Sequence, residues 1–97
     1  MKEIYVLFLE TVFYDLDTHY GNEAIGFYST EENARKGLDS FIKDHTDPDD
    51  GRIYIPFGDE WALSIERILL DCEGERHEVY RVDMEEVDPR FKEGGKN

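Results

Sequence analysis

Residues 4–14 are apolar on both alternating faces, with Ile4, Val6 and Phe8 on one side and Tyr5, Leu7 and Leu9 on the other. A half-exposed strand alternates apolar with polar, so this pattern predicts a strand covered on both sides, at the centre of a sheet. Residues 15–22 are polar and include Gly21, which predicts a hairpin loop; residues 23–28 then return with Ile25 and Phe27 on one face.

The period changes after Tyr28. Ser29-Thr30-Glu31-Glu32 places a hydroxyl three residues before a glutamate, the reciprocal arrangement that satisfies unpaired amides at a helix start. Ala34, Leu38, Phe41 and Ile42 follow at i, i+4, i+7 and i+8, while Glu31, Arg35, Asp39 and Lys43 fall on the opposite side. These positions predict a helix over 30–43 with one stripe against a sheet. Gly37 weakens it by about 1 kcal/mol relative to alanine. Asp47-Pro48-Asp49-Asp50-Gly51 ends it, because proline presets a turn and glycine permits a positive φ.

Residues 52–57 alternate again through Ile53, Ile55 and Phe57, with Pro56 favouring an edge strand. Residues 61–72 fit two periods: Trp61, Leu63 and Ile65 alternate, and Trp61, Ile65, Ile68 and Leu69 also suit a helix. A strand is preferred, because residues 72–76 read as a hairpin loop and 78–84 alternate Tyr80, Val82 and Met84 with Val79, Arg81 and Asp83. The change of apolar phase at Glu66-Arg67 then marks a bulge. The fold expected is α+β, an antiparallel sheet of about five strands with one main helix packed on one face. Residues 1–88 form the expected domain, and 89–97, polar and glycine-containing, a flexible tail.

Charge adds what the pattern does not show. The chain has 97 residues, 24 Asp and Glu against 11 Lys and Arg, and a formal net charge of -13. Acidic disordered chains are poor in aromatics, whereas six Tyr, six Phe and Trp61 point to a folded core. Thirteen charges correspond to about 22 Å of DNA duplex. Such an excess opposes a compact state by self-repulsion, beyond what solubility requires. A single cysteine, Cys72, forms no internal disulfide and suits a reducing compartment. The opening MKEIYVLFLE is neither a signal peptide nor a span, so a soluble cytoplasmic protein without membrane association is expected.

Catalytic motifs are missing. The chain has no glycine-rich phosphate loop, nucleophile elbow or HExxH, and Cys72 has no activating partner in sequence, so no enzyme and no cofactor is expected. Asp15, Asp17 and His19 would share a face on an extended strand, but they fall where a loop is expected, and a solvated loop outweighs a metal site. The Asp47–Gly51 segment lacks the closing glutamate of a calcium loop. His45 and His77 read as surface or helix-end residues.

The carboxylates carry the functional signal. Residues two apart on a strand are about 6.6 Å apart on one face, close to two rises of one DNA strand at about 3.4 Å each. Glu73 with Glu75, and Asp83 with Glu85, have that spacing if extended; Glu86 and Asp88 continue the run. With Glu10, Asp15, Asp17, Glu23, Asp47, Asp49 and Asp50 they form the candidate partner-binding set. The competing explanation is that acids on a small domain keep it soluble.

Ile4-Tyr5-Val6-Leu7, followed by Ile25-Gly26-Phe27-Tyr28-Ser29-Thr30-Glu31-Glu32-Asn33-Ala34, resembles the strand, strand, capped-helix opening of small phage and bacterial domains with a "YVL... IGVYSTEEKA" pattern. That resemblance covers about the first third and concerns fold. In size, acidity and lack of catalytic motifs the chain is similar to acidic phage host-takeover proteins that mimic DNA, among them inhibitors of HU-type nucleoid proteins. The resemblance implies a decoy that binds the basic DNA-binding surface of a host HU-type protein, excludes DNA and does not itself bind nucleic acid. Other basic targets, such as a CRISPR effector, a restriction enzyme or a repair glycosylase, and a non-catalytic protein-interaction module are the alternatives. Monomer and homodimer are both open.

Overall fold

The structure, a computed structural model, describes residues 2–14, 17–55, 59–71 and 76–87. β1 (Glu3–Tyr14) and β2 (Thr18–Tyr28) form a long hairpin, and α1 (Glu31–Asp44) follows. β3 (Glu60–Leu69) and β4 (Arg76–Asp83) form a second hairpin, which ends in a single helical turn, α2 (Met84–Val87). The four strands make one antiparallel sheet in the order β2-β1-β3-β4, with α1 packed on one face. The α+β architecture is therefore as expected, with four strands among the described residues.

β1 is central, as its two apolar faces required. Leu7 lies opposite Ile65, and Leu9 opposite Leu63, on the side of the helix; Val6, on the other side, is equally buried. Leu7, Leu9, Ala34, Leu38, Leu63, Ile65 and Val82 belong to one core cluster, joined by Ile53, Ile55, Trp61 and Met84. The ambiguous segment is a strand, but its change of apolar phase is not a bulge in that strand: β3 pairs with β1 without a register shift, and the shift in the β3–β4 ladder between Ile65 and Glu66 comes from an extra residue, Val79, in β4.

Three further local expectations are corrected. First, β2 starts at Thr18 rather than residue 23, because Glu10 to Tyr14 would otherwise lack a pairing partner on that side; cross-strand pairs from Tyr14↔Thr18 to Glu10↔Asn22 override the weak strand preference of Gly21 and Asn22. Second, residues 52–55 join no sheet. Ile53 pairs with Thr46 in an isolated bridge, and the segment bonds back to the helix end through Asp47 N–H to the Arg52 carbonyl and Tyr54 N–H to the His45 carbonyl, both 2.8 Å. Its alternation is real, since Ile53 and Ile55 are buried, but it closes the core beneath a helix end. Positions 56 and 57 lie outside the described residues, as do residues 72–75 of the expected hairpin loop, whose last position, Arg76, begins β4, and the expected tail at 89–97.

The third correction concerns the helix cap. Thr30, not Ser29, is the cap: its Oγ1 accepts the Asn33 N–H at 3.1 Å, so Asn33 occupies the third helical position and no reciprocal glutamate box forms. Ala34 and Leu38 are fully buried, with Phe41 and Ile42 packed beside them. At the other end His45 stacks on Phe41 with ring centroids 4.1 Å apart, and its Nδ1 lies 2.8 Å from the Phe41 carbonyl.

Gly37 has a packing role. A Cβ there would lie 2.1 Å from the Tyr28 hydroxyl, and one at Gly26 2.6 Å from the same hydroxyl, so both glycines make room for the ring that ties β2 to α1. Gly37→Ala gains up to about 1 kcal/mol of helix propensity but forces an overpacked contact costing about 1 to 3 kcal/mol. The variant is expected to melt below the wild type. A higher melting temperature would mean that Tyr28 moves aside freely.

Candidate functional site

The helix covers one face of the sheet, and Glu10, Glu78, Arg81 and Asp83 lie on the other, whereas Glu23, opposite Leu9, is on the helix side. Because opposed residues of antiparallel strands share a face, the register builds rows across the uncovered side. One row is Asn22, Glu10, Ala62, Asp83; the next is Ala24, Phe8, Ser64, Arg81; beyond the first lie Tyr20, Val12 and Glu60. Ala62 and Ser64 are small and buried, which leaves a floor between longer side chains. The result is a groove of about 530 Å³ crossing all four strands, lined by Glu10, Tyr20, Glu60, Arg81, Asp83 and Glu85 among others.

Arg81 organises this groove. Its Nη1 donates to Glu10 Oε2 at 2.5 Å and Glu78 Oε1 at 3.3 Å, and its Nε to Asp83 Oδ1 at 3.0 Å. Partial burial alone would lower the Arg81 pKa, but the hydrogen bond and charge of Glu10, reinforced by Asp83, raise it above the ordinary value. Three carboxylates therefore share one permanent cation. At the groove's end the Tyr14 hydroxyl donates to Glu60 Oε2 at 2.7 Å, and the Tyr14 N–H to Asp59 Oδ2 at 2.6 Å. The hydrogen bond to Glu60, followed by lost hydration, raises the phenol's pKa above 10.0.

The candidate acids separate into groups with different work. Glu10 and Asp83 meet at Arg81, and Glu85 lines the same groove. Asp47 and Asp50 hold the turn after α1: Asp47 Oδ1 accepts the Asp49 N–H at 2.7 Å, Asp50 Oδ1 the Arg52 N–H at 2.8 Å, and Asp50 Oδ2 the Tyr54 hydroxyl at 3.1 Å. Such self-capping is what Asp does in turns whatever the protein's function. Asp17, Glu23, Asp49, Glu85 and Glu86 are exposed, and no side-chain hydrogen bond or ion pair engages their carboxylates among the described residues. Asp15, Glu73, Glu75 and Asp88 lie outside the described residues.

Asp83 and Glu85 do not share an extended face. Asp83 is the last residue of β4, and the chain turns into α2 at Met84, whose burial anchors that turn. Glu60, Glu78 and Arg81 were not among the candidates; the signal that finds them is strand register, which pairs Val12 with Glu60 and Ser64 with Arg81 and needs the three-dimensional alignment. Asp17 and His19 are exposed near the start of β2, and among the described residues no group of three His, Cys, Asp or Glu side chains is arranged to hold a metal ion. No helix of the described residues is long and apolar enough to cross a membrane.

Compared with protein-family models, curated proteins and solved structures, the chain matches none. Its function has to be argued from the chemistry of this surface.

Proposed function

We propose that the protein is a phage-encoded decoy for DNA that acts in the host cytoplasm, where it binds the basic DNA-binding surface of an HU-type nucleoid protein and keeps DNA off it. One observation carries the reading: a net charge of -13 on a rigid antiparallel frame, with Asp17, Glu23, Asp49, Glu85 and Glu86 exposed and unneutralised among the described residues. HU-type proteins grip the DNA backbone with little base specificity. A competitor therefore needs negative charge held in place rather than an imitation of base edges. The reading involves no catalysis, cofactor or direct contact with nucleic acid. Restriction, CRISPR and repair enzymes with basic channels present the same chemistry to such a surface.

The exposed aromatics favour a second reading. Tyr14, Tyr20 and Phe27 are 59%, 80% and 68% exposed, an apolar endowment that a purely electrostatic decoy does not need and a protein-interaction module does. Salt separates the two. Screening lengths fall from about 30 Å at 0.01 M to about 8 Å at 0.15 M. A charge-driven complex accordingly weakens steeply over that range, and an apolar one barely changes. The test is competition between this protein and duplex DNA for purified HU-type protein at both salt concentrations. Displacement of DNA that fades with salt supports the decoy; no displacement at low salt removes HU as the target, and salt-insensitive binding supports the module.

A further inference from the structure

The two edges of the sheet are built differently. β4, at one edge, carries Arg76, Glu78, Arg81 and Asp83, a mixture of signs of the kind that discourages a further strand from adding. β2, at the other, runs 11 residues with no Pro, Lys or Arg and a single carboxylate, Glu23. Nothing pairs with its outer side among the described residues, since its ladder runs only to β1. A long strand of this composition is a template for an added strand. Its one irregularity is the register shift at Leu7/Phe8, which places a bulge around Ile25.

The charge around this edge specifies the occupant. From residue 3 to residue 34 the chain has seven carboxylates and neither Lys nor Arg; Glu3, Glu10, Glu31 and Glu32 pair with Arg67, Arg81, Arg35 and Lys36 from outside that stretch, while Asp17 and Glu23, beside and on β2, have no such partner among the described residues. A second copy of the chain would bring its own net charge of -13 to the same place, so pairing with itself is opposed. A basic segment is attracted. Tyr20 and Phe27, opposite Val12 and Val6 on the uncovered face, expose rings on which Lys or Arg side chains can lie.

We propose that the free edge of β2 binds an extended Lys- or Arg-bearing segment of the partner as a fifth strand, so that backbone hydrogen bonds and charge act together. The inference deepens the decoy reading and rests on it for the nature of the partner. Main-chain pairing supplies affinity independent of exact sequence. The acids and exposed rings select for cationic side chains.

Amide hydrogen exchange tests it on the intact protein, with a short peptide of alternating lysine and threonine as the probe and one of alternating glutamate and threonine as the control. At about 100 times its dissociation constant the basic peptide is expected to slow the outward amides of β2 by up to about 100-fold. β4 amides should not change, and the acidic peptide should protect nothing. Asp17→Lys with Glu23→Lys, both at exposed positions, should abolish that protection without lowering the melting temperature. Binding of the basic peptide without β2 protection, or no binding at all, overturns the inference. The same measurement on the complex with HU-type protein separates the two proposals: DNA displaced with β2 amides unprotected overturns the edge and keeps the decoy. Protection by the basic peptide together with failure to displace DNA keeps the edge and removes HU-type protein as the decoy's target.

Discussion

Leu38→Ala is expected to lower the melting temperature by about 10 °C or more. Leu38 is 1% exposed and, with Ala34, is one of only two fully buried residues on α1. It belongs to the same cluster as Leu7, Leu63 and Ile65, the middle of the two interior strands, so truncation leaves a cavity where the helix meets the sheet. Large-to-small changes of this kind cost about 2 to 5 kcal/mol, against a total of about 5 to 15 kcal/mol for a domain. At this chain length each kcal/mol shifts the melting temperature by about 4 to 8 °C. Calorimetry or a circular-dichroism melt reads the result. An unchanged melting temperature would mean that α1 is held to the sheet by its flanks, Phe41, Ile42 and Tyr28, rather than by its centre.

Changes of surface charge should act on binding in two opposite directions. Neutralising Asp17, Glu23, Asp49, Glu85 and Glu86 together to Asn and Gln removes five charges with no side-chain partner among the described residues. The fold should be unharmed or stabilised, because self-repulsion is relieved. Each exposed ion pair lost with the partner costs about 0.2 to 1 kcal/mol, so competition against DNA should weaken fivefold or more. Arg81→Gln should do the reverse. It releases Glu10, Glu78 and Asp83 from their shared cation, which tightens binding to a basic partner while lowering stability, since three carboxylates are left adjacent. Thermal melts beside the DNA-competition assay separate the two effects. If both variants compete as the wild type does, these acids serve solubility alone.

Much of the fold was legible because hydrophobic period is a local property. The central β1 and the helix stripe through Ala34 and Leu38 follow from which side chains avoid water at which spacing, whereas the bulge expected at Glu66-Arg67 lies across the ladder, at Val79 of β4. The cap was misplaced by one residue for an equally local reason. Ser29 and Thr30 are adjacent hydroxyls, and only the chain's entry geometry, extended at Thr30, selects between them. Residues 52–55 misled because alternation reports burial, not pairing: Ile53 and Ile55 are buried in an irregular segment bonded to a helix end.

The candidate surface was less legible. Spacing along one strand suggested Asp83 with Glu85, whereas the acids that meet Asp83 are Glu10, 73 positions away in sequence, and Glu78, both through Arg81. Asp47 and Asp50, which lie in the Asp-Pro-Asp-Asp-Gly turn that ends the helix, are occupied in holding that turn.

By itself the sequence determined the class of fold, the face that α1 buries and the size of the charge, because composition and periodicity are sums over near neighbours. The tertiary structure alone decided how that charge is distributed. Register across β2, β1, β3 and β4 sets which acids share Arg81, which form the walls of a groove and which stand free. It also decided that β4 ends the sheet behind mixed charges while β2 ends it with an edge that is unpaired among the described residues and has one carboxylate and no Lys or Arg. Register is a relation between residues far apart in the chain, fixed by the packing of both hairpins against one helix, so no local window contains it.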